Sequence, residues 1–119
     1  SMNPSEMAQE GRRLSQLLDG ALAFLKEQIK AAAEGEQAYR RAKAEAWVRA
    51  PDGTAAAREA WVNGQTADLR YKRDLATGME RASHQAIRAR MAQLSMLQSV
   101  MNAYRADADF ARTGESVGA

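Results

Sequence analysis

Ala50-Pro51-Asp52-Gly53-Thr54 is the one strong turn in this chain of 119 residues, and the rest of the fold can be read outward from it. Pro51 pushes the residue before it out of helical geometry, Asp52-Gly53 supplies a turn, and the Thr54 hydroxyl can cap a new helix opening at Ala55-Ala56-Ala57. Upstream, no proline interrupts from about Ser5 to Ala50. There Leu14, Leu18, Leu22, Leu25, Ile29 and Ala32 recur at steps of three and four, continued by Tyr39, Ala42 and Ala46, which is one face of an amphipathic helix. Ser5 is placed to cap its start, Glu6 and Glu10 lie near its positive end, and Arg49 sits in its last turn.

Downstream, the pattern predicts a short helix over 54–62, a kink or turn at Asn63-Gly64, and a long helix over 65–111. Leu69, Ala76, Met79, Ala86, Ile87, Met91, Leu94, Leu97, Met101 and Tyr104 lie near one face of that last helix. The two long segments match in length, so the expected fold is all-α. It is a long antiparallel helical hairpin, coiled-coil-like, with a short corner helix, forming one domain over residues 1–112 ahead of a disordered tail at 113–119. With a corner helix in the turn, facing residue numbers would sum to about 113 or 114, an estimate from antiparallel hairpin geometry. Gly35 would then lie opposite Gly78, and the Leu18 region opposite Leu97. Two facing glycines would permit close backbone approach, although each is equally well an ordinary helix glycine.

The composition supports this reading. The apolar fraction of 45% leans on alanine, with few aromatic residues, as suits close-packed helices. A two-helix hairpin has one seam and leaves apolar residues outside it, here Leu17, Phe24, Met96 and Val100, so assembly into an oligomeric helical bundle is expected. There is no cysteine, which removes disulfides, thiol nucleophiles and thiolate metal sites and suits a reducing compartment. The longest apolar run, Gly20-Ala21-Leu22-Ala23-Phe24-Leu25, is far short of the roughly 20 residues that span a bilayer, so the expectation is a cytoplasmic protein with no membrane contact. Ser1 ahead of Met2 reads as a residue left by an expression vector, with Met2 as the natural start.

Nothing in the sequence assembles into catalytic machinery. His84 is the only histidine, so no paired-histidine or Ser/His arrangement can form within one chain. The acidic pairs Glu6 with Glu10, Glu34 with Glu36, and Asp107 with Asp109 lack the Glu-plus-His spacing of carboxylate metal sites in bundles. The glycines are isolated and build no phosphate-cradling loop. The expectation is therefore a non-enzymatic protein with no cofactor and no metal.

Charge is unevenly spread. Residues 40 to 90 hold eleven of the seventeen Lys and Arg but only six of the fifteen Asp and Glu, while the ends are mildly acidic. Arg40, Arg41, Lys43, Arg49, Arg58, Arg70, Lys72 and Arg73 lie around the turn, with Tyr39, Trp47, Trp61 and Tyr71 among them. Arginine offers a planar fork for phosphate and can stack on bases, so this set is a candidate nucleic-acid-binding end. The same residues also suit a structural role. Arg41 and Glu45, Arg70 and Asp74, and Asp68 and Lys72 are spaced four apart as ordinary ion pairs, and the two tryptophans bracket the turn as a small core would.

The stretch Ala38-Tyr39-Arg40-Arg41-Ala42-Lys43-Ala44-Glu45-Ala46-Trp47, with Gly53-Thr54, Ala57-Arg58-Glu59-Ala60 and Arg73-Asp74-Leu75-Ala76, resembles a family of small alanine-rich helical proteins of tailed bacteriophages and prophages. The resemblance covers roughly residues 36 to 105. Such proteins are often encoded among recombination and replication genes, so the resemblance implies an accessory role near DNA in a bacterial host. Two functions remain open from the sequence. One is an oligomeric accessory protein that binds nucleic acid, single-stranded DNA included, or assists a recombination protein at the basic end. The other is an interaction module acting through its apolar helix faces on a phage or host protein.

Overall fold

The computed structural model describes residues 2–118, with side chains from 2 to 114, and two α-helices account for nearly all of them. Helix α1 is Pro4–Arg49 and helix α2 is Ala55–Gly118. Helix α1 starts at Pro4, one residue before Ser5, and its cap is Asn3 rather than Ser5. The Asn3 side chain accepts a hydrogen bond from the Glu6 amide at 2.8 Å, and Pro4 occupies the first helical position, where its missing N–H is no loss.

The turn forms as its residues predict. The Thr54 hydroxyl accepts from the Ala57 amide at 3.1 Å, and the Thr54 carbonyl accepts from the Arg58 amide at 3.0 Å. At the other side of the turn, Arg58 donates to the Trp47 carbonyl at 3.3 Å, satisfying one of the carbonyls that the end of α1 leaves open.

No corner helix exists. α2 runs unbroken through Asn63-Gly64 and on past Ala111, so the expected helix over 54–62, the break, and the end at 111 are all replaced by one element; of the expected tail, Ala119 lies outside the described residues. Among the described residues none has a positive φ, so Gly64 sits in ordinary helical geometry. Val62 and Thr66, one helical turn apart on either side of it, are among the least exposed side chains in the chain, at 0% and 2%. Their packing holds the helix through a residue whose intrinsic penalty is only about 1 kcal/mol.

The helices associate in two compact units. In Leu22–Gln85 they fold back at the turn as an antiparallel hairpin. Its shielded series on α1 is Leu25, Gln28, Ala32, Gly35, Tyr39, Ala42 and Ala46, and on α2 Val62, Thr66, Leu69, Arg73, Ala76, Glu80 and Ser83. The other unit joins the chain's ends, up to Ala21 and from Ala86 onward. There Met7, Leu14, Leu18 and Ala21 meet a series of Ile87, Arg90, Leu94, Leu97 and Met101. Between Val62 and Met101 every residue of α2 that is not exposed falls at alternating steps of four and three. That is the spacing of a two-stranded coiled-coil seam, a repeat of 3.5 residues.

Register departs from expectation. A methyl group on Gly35 would lie 3.3 Å from the Cα of Arg73, so Gly35 faces Arg73, while Gly78 has open space around it. Gly11 faces Leu97 in the same way, at 3.7 Å. Facing numbers therefore sum to 108 rather than 113 or 114, because the residues allotted to a corner helix are part of α2 and pair with α1. The close approach of backbones does occur, with Gly35 alone providing it. Leu22 and Ile29 on α1, and Met79, Ala86, Met91 and Tyr104 on α2, lie outside the seam and are exposed.

Candidate interaction surfaces

Arg73 is the hub of the basic region and it points into the structure. Opposite Gly35, where the facing helix has no side chain to fill space, its guanidinium lies 4.4 Å from the centre of the Tyr39 ring. Its Nη2 is 2.9 Å from Asp74 Oδ1 and its Nη1 is 3.6 Å from Glu36 Oε2. The Asp74 hydrogen bond, with Glu36 and Tyr39 adding to it, raises the Arg73 pKa above its already high value. Glu36 also accepts from Arg40 Nε at 2.6 Å, and Lys43 Nζ lies 5.8 Å from the centre of the Tyr39 ring. Tyr39 is buried, a cation–π platform rather than a free stacking surface. Arg58 is likewise engaged, hydrogen-bonded to the Trp47 carbonyl and 5.7 Å from the Trp47 ring.

The twelve residues expected to contact nucleic acid thus divide. Arg58, Arg73 and Tyr39 knit the hairpin together, Arg40 is exposed and pairs with Glu36 on its own helix, and Trp47 and Trp61 are half-buried beside the turn. Arg70 lies 4.0 Å from Asp74, as its spacing suggests, whereas neither Arg41 with Glu45 nor Asp68 with Lys72 closes to an ion pair among the described residues. Arg41, Lys43, Arg49, Arg70, Lys72 and Tyr71 are exposed. These do not share a face: residues two apart on a helix, as are Arg41 and Lys43 or Arg70 and Lys72, point about 200° from each other. The basic middle of the sequence becomes a girdle of cations around the hairpin.

A different surface is more coherent. On α2, Leu75, Met79, Ala82, Ala86, Ala89, Gln93, Met96, Val100 and Ala103 follow one another at alternating steps of four and three, and all are exposed. This second stripe has the coiled-coil repeat of the seam and lies beside it, yet no helix among the described residues covers it. Between Leu75 and Ala103 the charged residues are Glu80, Arg81, Arg88 and Arg90, with His84 the one titratable imidazole, and none falls in the stripe. Met96 is 72% exposed. Two of the four residues expected to form an oligomer contact, Met96 and Val100, belong to it; Leu17 and Phe24 are exposed on α1. Sequence reading took Met79 and Ala86 for seam residues and so merged two stripes into one face; a period of 3.5, counted separately for each series, distinguishes them.

Within the unit of the chain ends, a shallow groove of about 400 Å³ opens beside Met96 and Val100, with Met2, Leu14 and Leu97 in its walls. Across that unit a wider, more polar groove of about 690 Å³ runs between Arg12, Gln16, Asp19 and Gln98, Asn102, Arg105. Among the described residues no group of three or more His, Cys, Asp or Glu side chains converges as a metal site requires, and no helix is long and apolar enough to cross a membrane. Set against family models, curated proteins and solved structures, the chain matches none.

Proposed function

We propose that this chain is a non-enzymatic helical interaction protein that works by docking another helix along the uncharged outer stripe of α2. The observation that supports this reading is the stripe itself. Gln93 apart, it holds an apolar 3.5-residue repeat over about four heptads, the length at which such a pattern signifies a coiled coil, and no helix among the described residues covers it. Depletion of charge over an exposed helical face is the compositional mark of an interface centre. The resemblance to small phage proteins makes an accessory factor in an infected bacterial cell the setting we favour. A photo-cross-linker placed at Met96 and expressed in cells tests the reading. Adducts from Met96, with none from the same group at Gln98, support it; no adduct from either position overturns it.

A second reading is kept because of one residue. Tyr71 is 67% exposed, with Arg70 and Lys72 each about 100° round the helix from it on opposite sides, so an aromatic face is offered with a cation at each flank. That grouping suits stacking of an unpaired base with phosphate contact on either side. A titration with fluorescent single-stranded oligonucleotide at about 50 and 200 mM salt tests it, since phosphate contacts weaken steeply over that range. Affinity that falls with salt and with Tyr71→Ala plus Lys72→Gln supports nucleic-acid contact. Unchanged affinity in that double variant removes it.

A further inference from the structure

We infer that the stretch of the hairpin in which residues 25–32 face residues 76–83 is an opening segment built into the fold, where the two helices part while the turn stays closed. The register shows where the seam is weak. Facing numbers sum to 108 at Gly35 and Arg73, and both shielded series keep to that sum, so Leu25 faces Ser83, Gln28 faces Glu80 and Ala32 faces Ala76. None of these layers joins two large apolar side chains. Nearer the turn, Ala46, Val62 and Thr66 are buried, and the Arg73 guanidinium lies against the Tyr39 ring. In the unit of the chain ends, the same sum sets Leu14 against Leu94 and Met7 against Met101.

Polar contacts repeat the contrast. The Arg73 ion pair with Glu36, at 3.6 Å, and the Arg58 hydrogen bond to the Trp47 carbonyl both cross between the helices on the turn side of this stretch. Among the described residues no hydrogen bond or ion pair crosses from 25–32 to 76–83. Ser83 donates to the Met79 carbonyl at 2.8 Å and Glu80 lies 3.8 Å from His84, each on its own helix. An α-helix keeps its backbone hydrogen bonds within itself, so parting two helices costs only the side-chain contacts between them; here those are small, and Gln28 and Glu80 regain water. Opening also unites a face that the closed hairpin divides. Leu25 and Ala32, shielded in the seam, then join the exposed Leu22 and Ile29 on one apolar side of α1.

The chain has no cysteine, so a single introduced thiol reports opening directly. Ala32, Ala42 and Ala21 are all half-buried seam alanines, facing Ala76, Thr66 and Ile87. In the purified full chain, with helicity checked by circular dichroism, the thiol of Ala32→Cys is expected to react with an aromatic disulfide reagent at least about tenfold faster than that of Ala42→Cys or Ala21→Cys, because local opening there has the lower free energy. Ala76→Cys, on the facing helix, should react as fast, so the result does not hang on one variant. Adding Gln28→Leu and Glu80→Leu to Ala32→Cys gives the weak stretch an apolar pair and should slow its thiol to the rate of the other two positions. Equal rates at residues 32, 42 and 21 overturn the inference, as does a fast thiol at residue 32 that the leucine pair leaves unslowed.

Discussion

Gly35 and Gly78 are the same residue in the same kind of helix, and they differ only in what a methyl group would meet. At Gly35 it meets the Arg73 Cα at 3.3 Å, backbone that cannot rotate away; at Gly78 it meets nothing within 4 Å. Gly35→Ala should therefore lower stability, by about 1 kcal/mol or more once the facing helix is forced outward. Gly78→Ala should raise it by about 1 kcal/mol, the helix propensity difference, because no positive φ stands in the way. Urea unfolding of the two variants checks both signs. Glu10 gives a prediction of another kind. The Arg13 hydrogen bond holds its carboxyl below the usual value of 4.5, so the small stabilisation from this exposed pair is present above that pH and is lost as pH falls through the lowered pKa. An NMR titration should find the midpoint below 4.5 and Arg13→Gln should return it there. The contrast between the two glycines was not visible in sequence, since no residue near either one says what faces it and only the register separates them.

At the scale of elements, the ends of the helices were legible and the continuity of α2 was not. Pro51, Gly53 and Thr54 act on their own backbone and their immediate neighbours, so the turn could be read locally. Thr54→Ala removes the cap and should cost about 1 kcal/mol, measurable by thermal unfolding. Asn63-Gly64 carries the same kind of local signal at lower strength, and there the buried Val62 and Thr66 outweigh it. Hydrogen exchange gives the check: the amides of 63–66 should be protected as strongly as those of the neighbouring turns of α2, whereas a break would leave a fast-exchanging gap. Reading the break as real displaced the register, and that one displacement accounts for the misassigned pairing of Gly35 with Gly78 and of Leu18 with Leu97.

For the molecule as a whole, the decisive arrangement is two apolar stripes on α2, one covered by α1 and one open. An assembly through the open stripe couples folding to association, so the unfolding temperature should rise with chain concentration, and Met96→Glu should flatten that dependence. A concentration-independent unfolding temperature in the wild-type chain would speak against assembly. The sequence alone determined the helical class, the place of the turn and the presence of surplus apolar surface, because each follows from residues within a few positions of one another. Only the tertiary structure decided which residues form the seam: Gln28, Arg73 and Glu80 lie in it, while Leu22, Ile29 and Met79 lie outside it. The reason is that register is a property of residues far apart in the chain, set where Gly35 lets the Arg73 backbone approach, and a shift of a few positions moves polar groups inward and leucines outward without altering any local preference.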